Sequence, residues 1–107
     1  AAEYHLYRAV AEDYKRRENW VALAHMYHDQ HDWVACKAAC EMAFRVVDKP
    51  LDYLCDADAW GWLPHDLMAI SCHHLGHKDL AMGHGCLAAQ LNPDDTRLAE
   101  NLKFYRL

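Results

Sequence analysis

The stretch Trp20–Ala43, WVALAHMYHDQHDWVACKAACEMA, holds two apolar series at helical spacing with a turn between them. Trp20, Leu23, Ala24 and Tyr27 share one face of a helix, because side chains three and four residues apart lie one turn above another. After Gln30-His31-Asp32, Cys36, Cys40 and Ala43 mark a second helix whose apolar side chains are small. The order returns 45 residues later: His65, Met68, Ala69 and Cys72, then the turn Leu75-Gly76-His77, then Ala81, Gly85 and Ala88. A single hairpin of this kind cannot bury its apolar face, so copies stack and the surface across them becomes the place for a partner.

The expected fold is therefore all-α, a stack of about six or seven helices in one domain, residues 1–107. Repeat one covers about 18–50, an insertion about 48–63, repeat two about 64–93 and a capping helix about 94–105. Trp20–Tyr27 begins from Asn19 as N-cap, and Asp32 caps the helix that carries Cys36, Ala39, Cys40, Ala43 and Val47. Lys49-Pro50 ends that helix, since proline cannot continue the hydrogen-bond ladder. Ahead of them a first helix is expected from about Ala2 to Arg17, with Leu6, Ala9, Val10, Asp13 and Tyr14 inward. Leu51–Ala59 is read as a short extra helix, and His65–Leu75 as the fourth helix, closed by Gly76 in the left-handed conformation. Gly83 and Gly85 each weaken the next helix, Lys78–Gln90, by roughly 1 kcal/mol, and close helix approach is the expected compensation. Asp94 or Asp95 opens the last helix, with Leu98, Leu102 and Tyr105 inward and Arg97, Glu100 and Lys103 outward.

Composition narrows the function. A formal charge of −5 argues against a nucleic-acid or anionic-membrane surface, both of which need clustered Lys and Arg. Lys15-Arg16-Arg17 is the one basic run, placed where it complements a helix C-terminus. No window reaches the roughly 20 apolar residues of a membrane span. Five cysteines without a CxxC pair suit a reducing, cytoplasmic setting in which thiols pack as small apolar groups. The chain opens Ala1-Ala2 without Met, and it is read as a fragment or processed product of a larger protein.

These positions resemble the tetratricopeptide repeat, a helix-turn-helix unit of about 34 residues with the pattern Trp-x2-Leu-Gly-x2-Tyr, Ala-x3-Phe, Ala and Pro. Copy one matches at Trp20, Leu23, Tyr27 and Ala43, with Ala24 for the glycine and Pro50 two places late; Cys36 and Cys40 depart. Copy two matches at Gly76, Ala81, Ala88 and Pro93, while His65, Cys72 and Gly85 depart. The arrangement of repeat, acidic insertion, second repeat and the ending Asn92-Pro93-Asp94-Asp95 is similar to the helical segment that follows family-2 glycosyltransferase domains. That resemblance implies an enzymatic neighbour and a non-catalytic role for this chain. Asp56-Ala57-Asp58 spells the metal-binding Asp-x-Asp of those catalytic domains, but it lies between helical repeats with no nucleotide-binding sheet around it.

In such repeats the first helix of each pair lines a concave groove. The resemblance places Val21, His25, His28 and Asp29 there from copy one, and Asp66, Ile70, His73 and His74 from copy two. Trp60 and Trp62 of the insertion are expected to join them as contact residues for a protein partner or an adjacent domain, with self-association as a further option. The Lys, Asn and Arg that clamp a C-terminal carboxylate in some members are absent, since Val21, His25, Asp66 and Ile70 hold the groove. No cofactor is expected. The rival reading is a metal-binding or pH-responsive groove: His25, His28 and His73 form a ligand type that suits zinc, though no HExxH spacing is present. Cys36 and Cys40 fall on the packing side, and Cys72 and His73, adjacent on a helix, point too far apart for a dyad. His77 occupies a turn and is read as a surface residue.

Overall fold

The computed structural model describes residues 2–47 and 57–107, with side chains from Tyr4 onward in the first segment. Among them are six helices: α1 (Ala2–Glu12), α2 (Arg17–Asp29), α3 (Trp33–Arg45), α4 (Trp62–Leu75), α5 (Lys78–Leu91) and α6 (Thr96–Tyr105). The two hairpins turn in the same way. At the end of α2 the amide of Asp32 donates to Tyr27 O at 2.9 Å and that of His31 to His28 O at 3.0 Å. At the end of α4 the amide of His77 donates to Cys72 O at 2.8 Å and that of Gly76 to His73 O at 3.2 Å. Both are the paired bonds of a left-handed helix stop, with φ of 59° at His31 and 82° at Gly76. Asp32 then starts α3 by accepting from Ala35 N at 3.2 Å, and Asp95 starts α6 by accepting from Arg97 N at 3.1 Å.

Each helix packs on the next, and α2 also touches α4, so the first helices of the two pairs lie side by side. The core between them is built from Val21, Leu23 and Ala24 of α2, Cys36, Ala39, Cys40 and Ala43 of α3, Leu67, Met68, Ala69 and Cys72 of α4, and Ala81 of α5. Small side chains on α3 and α5 allow the close approach that larger residues on α2 and α4 fill. Gly85 is the extreme case: a Cβ there would stand 2.8 Å from the Tyr105 ring and 3.0 Å from Leu102. In α1, Leu6 and Ala9 lie 34 residues before Cys40 and Ala43 and are half-buried where those are sealed. An open cleft of about 520 Å³ runs between α1 and α2, lined by Leu6, Ala22, His25, Met26, Asp29 and Gln30.

Several sequence expectations need correction. The first helix stops at Glu12, not Arg17, and Asp13 and Tyr14 are exposed rather than inward. Arg16, not Asn19, holds the N-cap position of α2. The side-chain amide of Asn19 instead reaches back to Ala9 O at 3.3 Å and Asp13 O at 3.1 Å, satisfying carbonyls at the end of α1. The basic run thus belongs to a turn and the start of α2. There Arg17 donates from Nε and Nη2 to Val46 O at 3.1 and 2.8 Å, tying that start to the C-terminus of α3. α3 ends at Arg45, and Val47 is 72% exposed instead of continuing the buried face. α4 begins at Trp62, three residues earlier than expected, with Pro64 in its first turn where a missing amide hydrogen costs nothing. Gly83 has nothing within 4 Å of a built Cβ, so close approach explains Gly85 alone. The expected short helix Leu51–Ala59 lies mostly outside the described residues, as do Cys55 and Asp56; residues 57–61 form a turn.

Candidate functional site

The loop side of the two hairpins carries a band of ring side chains. Trp33, the first residue of α3, is sandwiched between His31 of the turn (centroids 5.4 Å apart, planes 13° from parallel) and His74 of α4 (4.0 Å, 3°). His28 meets the Trp33 ring edge-on at 5.7 Å, His25 lies 5.9 Å from His28, and His73 lies 5.5 Å from His74. His73 in turn sits 5.4 Å from Tyr105 of α6, so the band crosses both helix pairs and reaches the last helix. The helix stop at His31 produces this, because it turns Trp33 onto His74 at the C-terminal end of α4.

One carboxylate organises one end of the band. Asp29 Oδ2 stands 3.3 Å from His25 Nδ1, and its Oδ1 stands 3.2 Å from His28 Nδ1. A carboxylate acceptor holds the imidazole proton on Nδ1 and leaves each Nε2 for solvent or a ligand. The hydrogen bond from His28 keeps the Asp29 carboxyl below its ordinary range. His74 is shifted down, first by burial and then by its neighbours His73, His31 and His28.

Of the residues assigned to a groove, His25, Asp29, His73 and His74 are exposed, and His28 and Ile70 are half-buried. Val21 and Asp66 are instead 4% and 5% exposed and belong to the interior. Asp66 accepts from Arg97 Nη2 at 3.1 Å, a bridge that clamps α6 to α4, and Arg97 also meets Asp95 at 3.5 Å. Tyr105 lies beside this pair with its phenol buried and pushed up to about 12, chiefly by burial and then by the Asp66 charge.

The insertion tryptophans point inward to the chain itself. Trp60 is half-buried, donates from Nε1 to Glu18 at 3.2 Å and lies under the Arg17 guanidinium at 4.3 Å. Trp62 donates to Asp58 at 3.1 Å within its own turn. That bond engages the one Asp of the Asp56-Ala57-Asp58 run inside the described residues.

Sequence reasoning missed two features. Trp33 and His31 were not singled out, because helical periodicity says nothing about residues at a turn. The second is a pair at the opposite end: His65 and His84 meet Nδ1 to Nδ1 at 2.9 Å, both stacked on Phe44 at 4.8 and 5.4 Å. Burial, then His84 and Arg17, push His65 down to about 4, and burial lowers His84 as well. The signal available was His65 in the place that Trp20 takes in the other copy, an aromatic stacking position.

Among the described residues no three His, Cys, Asp or Glu side chains are placed to hold one metal ion. Three described thiols are packing groups: Cys36, Cys40 and Cys72 are free and buried, and Cys40 is pushed up by its hydrogen bond with Cys36 and by burial. A second cleft, of about 630 Å³, is lined by Asp13–Arg16, Trp20, Met42 and Arg45–Val47, away from the histidine band. No described helix is long and apolar enough to cross a membrane. No family model, no curated protein and no solved structure matches the chain.

Proposed function

We propose that this chain is a non-catalytic, protein-binding module of the tetratricopeptide-repeat type, which holds a segment of a partner or adjacent domain against the band His25–His28–Trp33–His74–His73. One observation carries the reading: exposed and half-buried ring side chains run continuously over two stacked helix pairs, while Asp66 and the buried thiols of the interior are paired or packed. Aromatic rings and histidines at a ridge of this kind supply contact area with few rotatable bonds to immobilise. As the resemblance implies, the partner is the catalytic domain of a glycosyltransferase-like protein, with this chain as its accessory repeat segment.

The test is capture from the source with tagged protein, followed by titration of the purified captured partner onto wild type and a His25→Ala/His28→Ala variant. Both side chains are exposed enough for the fold to survive, which circular dichroism checks. Affinity about tenfold weaker in the variant, about 1.4 kcal/mol, supports the reading. Equal affinity in a folded variant removes it.

A further inference from the structure

The band gathers five of the chain's nine histidines, from α2 (His25, His28), the turn (His31) and α4 (His73, His74), around one indole. Against it lie the Asp29 carboxylate on α2 and the Tyr105 phenol on α6. With all histidines neutral the chain carries a formal charge of −5; protonation of nine histidines reverses its sign. Much of that reversal falls on this face.

Imidazoles packed 4 to 6 Å from the same ring system oppose one another's protonation. His74 shows it, being held down by His73, His31 and His28 after burial. An anion lying along the band removes that opposition, so anion binding and proton uptake must favour each other to the same degree. We propose that the band is a proton-operated docking face: it takes an acidic peptide segment when its histidines are protonated and releases that segment as they become neutral. The proposal rests on the protein-binding role above and names the chemistry and control of the same site.

A peptide fits better than a nucleic acid. Its carboxylates are spaced among apolar side chains, for which the half-buried Ile70, one helical turn from His73 and His74, offers a contact. A phosphate backbone needs clustered Lys and Arg, which the described surface of the band lacks.

Fluorescent deca-aspartate and decathymidylate are the probes, with anisotropy read at pH 5.5 and 7.5 and fixed ionic strength. Aspartate stays ionised at both pH values, so a change reports on the protein. Deca-aspartate is expected to bind at least tenfold tighter at pH 5.5, and a His28→Gln/His74→Gln variant to lose most of that gain. His65→Gln, a histidine outside the band, should keep it. Affinity that does not change with pH, an unchanged gain in the double variant, or decathymidylate binding as tightly as deca-aspartate overturns the proposal. A captured partner lost in His25→Ala/His28→Ala, together with pH-independent deca-aspartate binding, would end the proton control and leave the docking role intact.

Discussion

Two glycines two residues apart on α5 should respond to alanine with opposite signs. At Gly83 a new Cβ meets nothing within 4 Å, so Gly83→Ala keeps only the helix-propensity gain, about 1 kcal/mol, much of it from a less flexible unfolded chain. Gly85→Ala has the same gain, but its Cβ would stand 2.8 and 2.9 Å from the Tyr105 ring and 3.0 Å from Leu102. Tyr105 is 4% exposed and backed by His73, so its ring cannot swing aside. α6 must move outward, and overpacking of that kind costs about 1–3 kcal/mol. The net for Gly85→Ala is therefore between roughly zero and 2 kcal/mol of loss, and the two variants should differ by about 1–3 kcal/mol. Moving α6 also stretches the 3.1 Å Arg97–Asp66 bridge, which adds to the loss. Urea unfolding followed by circular dichroism reads both values, with an unchanged slope showing that the surface exposed on unfolding is the same in both variants. If Gly85→Ala gains as much stability as Gly83→Ala, the close packing of α5 on α6 is wrong.

Gly76→Ala should cost about 1 kcal/mol or more, since φ is 82° there, and His31→Gly should not, since it relieves φ 59° in the matching turn; thermal midpoints of both variants check this. His65 is lowered in the folded protein, so folding disfavours its proton. The stability from the His65–His84 pair is full above the ordinary histidine range near pH 6.5 and is lost as pH falls towards about 4. Half-exposure limits the loss to about 1–2 kcal/mol, and urea midpoints at pH 7.5 and 4.5 should converge for His65→Gln/His84→Gln and diverge for wild type. Arg97→Met leaves the Asp66 carboxylate buried without its partner and should cost about 2–4 kcal/mol. The double variant with Asp66→Asn should cost less than the single change, as a double-mutant cycle would show.

Helix order was legible in the chain because its cause is local. Leu23, Ala24, Cys36, Cys40 and Ala43, and 45 residues on Met68, Ala69, Cys72 and Ala81, follow the buried faces that spacing marks and are found in the core; Trp20 packs against its edge and His65 is half-buried. Asp32, Gly76 and Asp95 act on their own backbones, so caps and stops could be read directly. Ends that depend on distant partners could not. Asn19 looks like a cap until α1 supplies the carbonyls of Ala9 and Asp13, and Arg17 looks like a helix end until Val46 brings the end of α3 to it. Gly83 and Gly85 are the same residue in the same helix, and only α6 distinguishes them. For the candidate site, spacing put His25, His28 and Asp29 on one face, while the repeat resemblance assigned Val21 and Asp66 to the groove, where the structure buries both. Spacing gave no hint that Trp33 would lie between His31 and His74, a contact between residues 41 positions apart in sequence. Periodicity encodes which side of a helix is apolar; which neighbour covers that side, and which rings meet across two hairpins, is settled by packing in three dimensions.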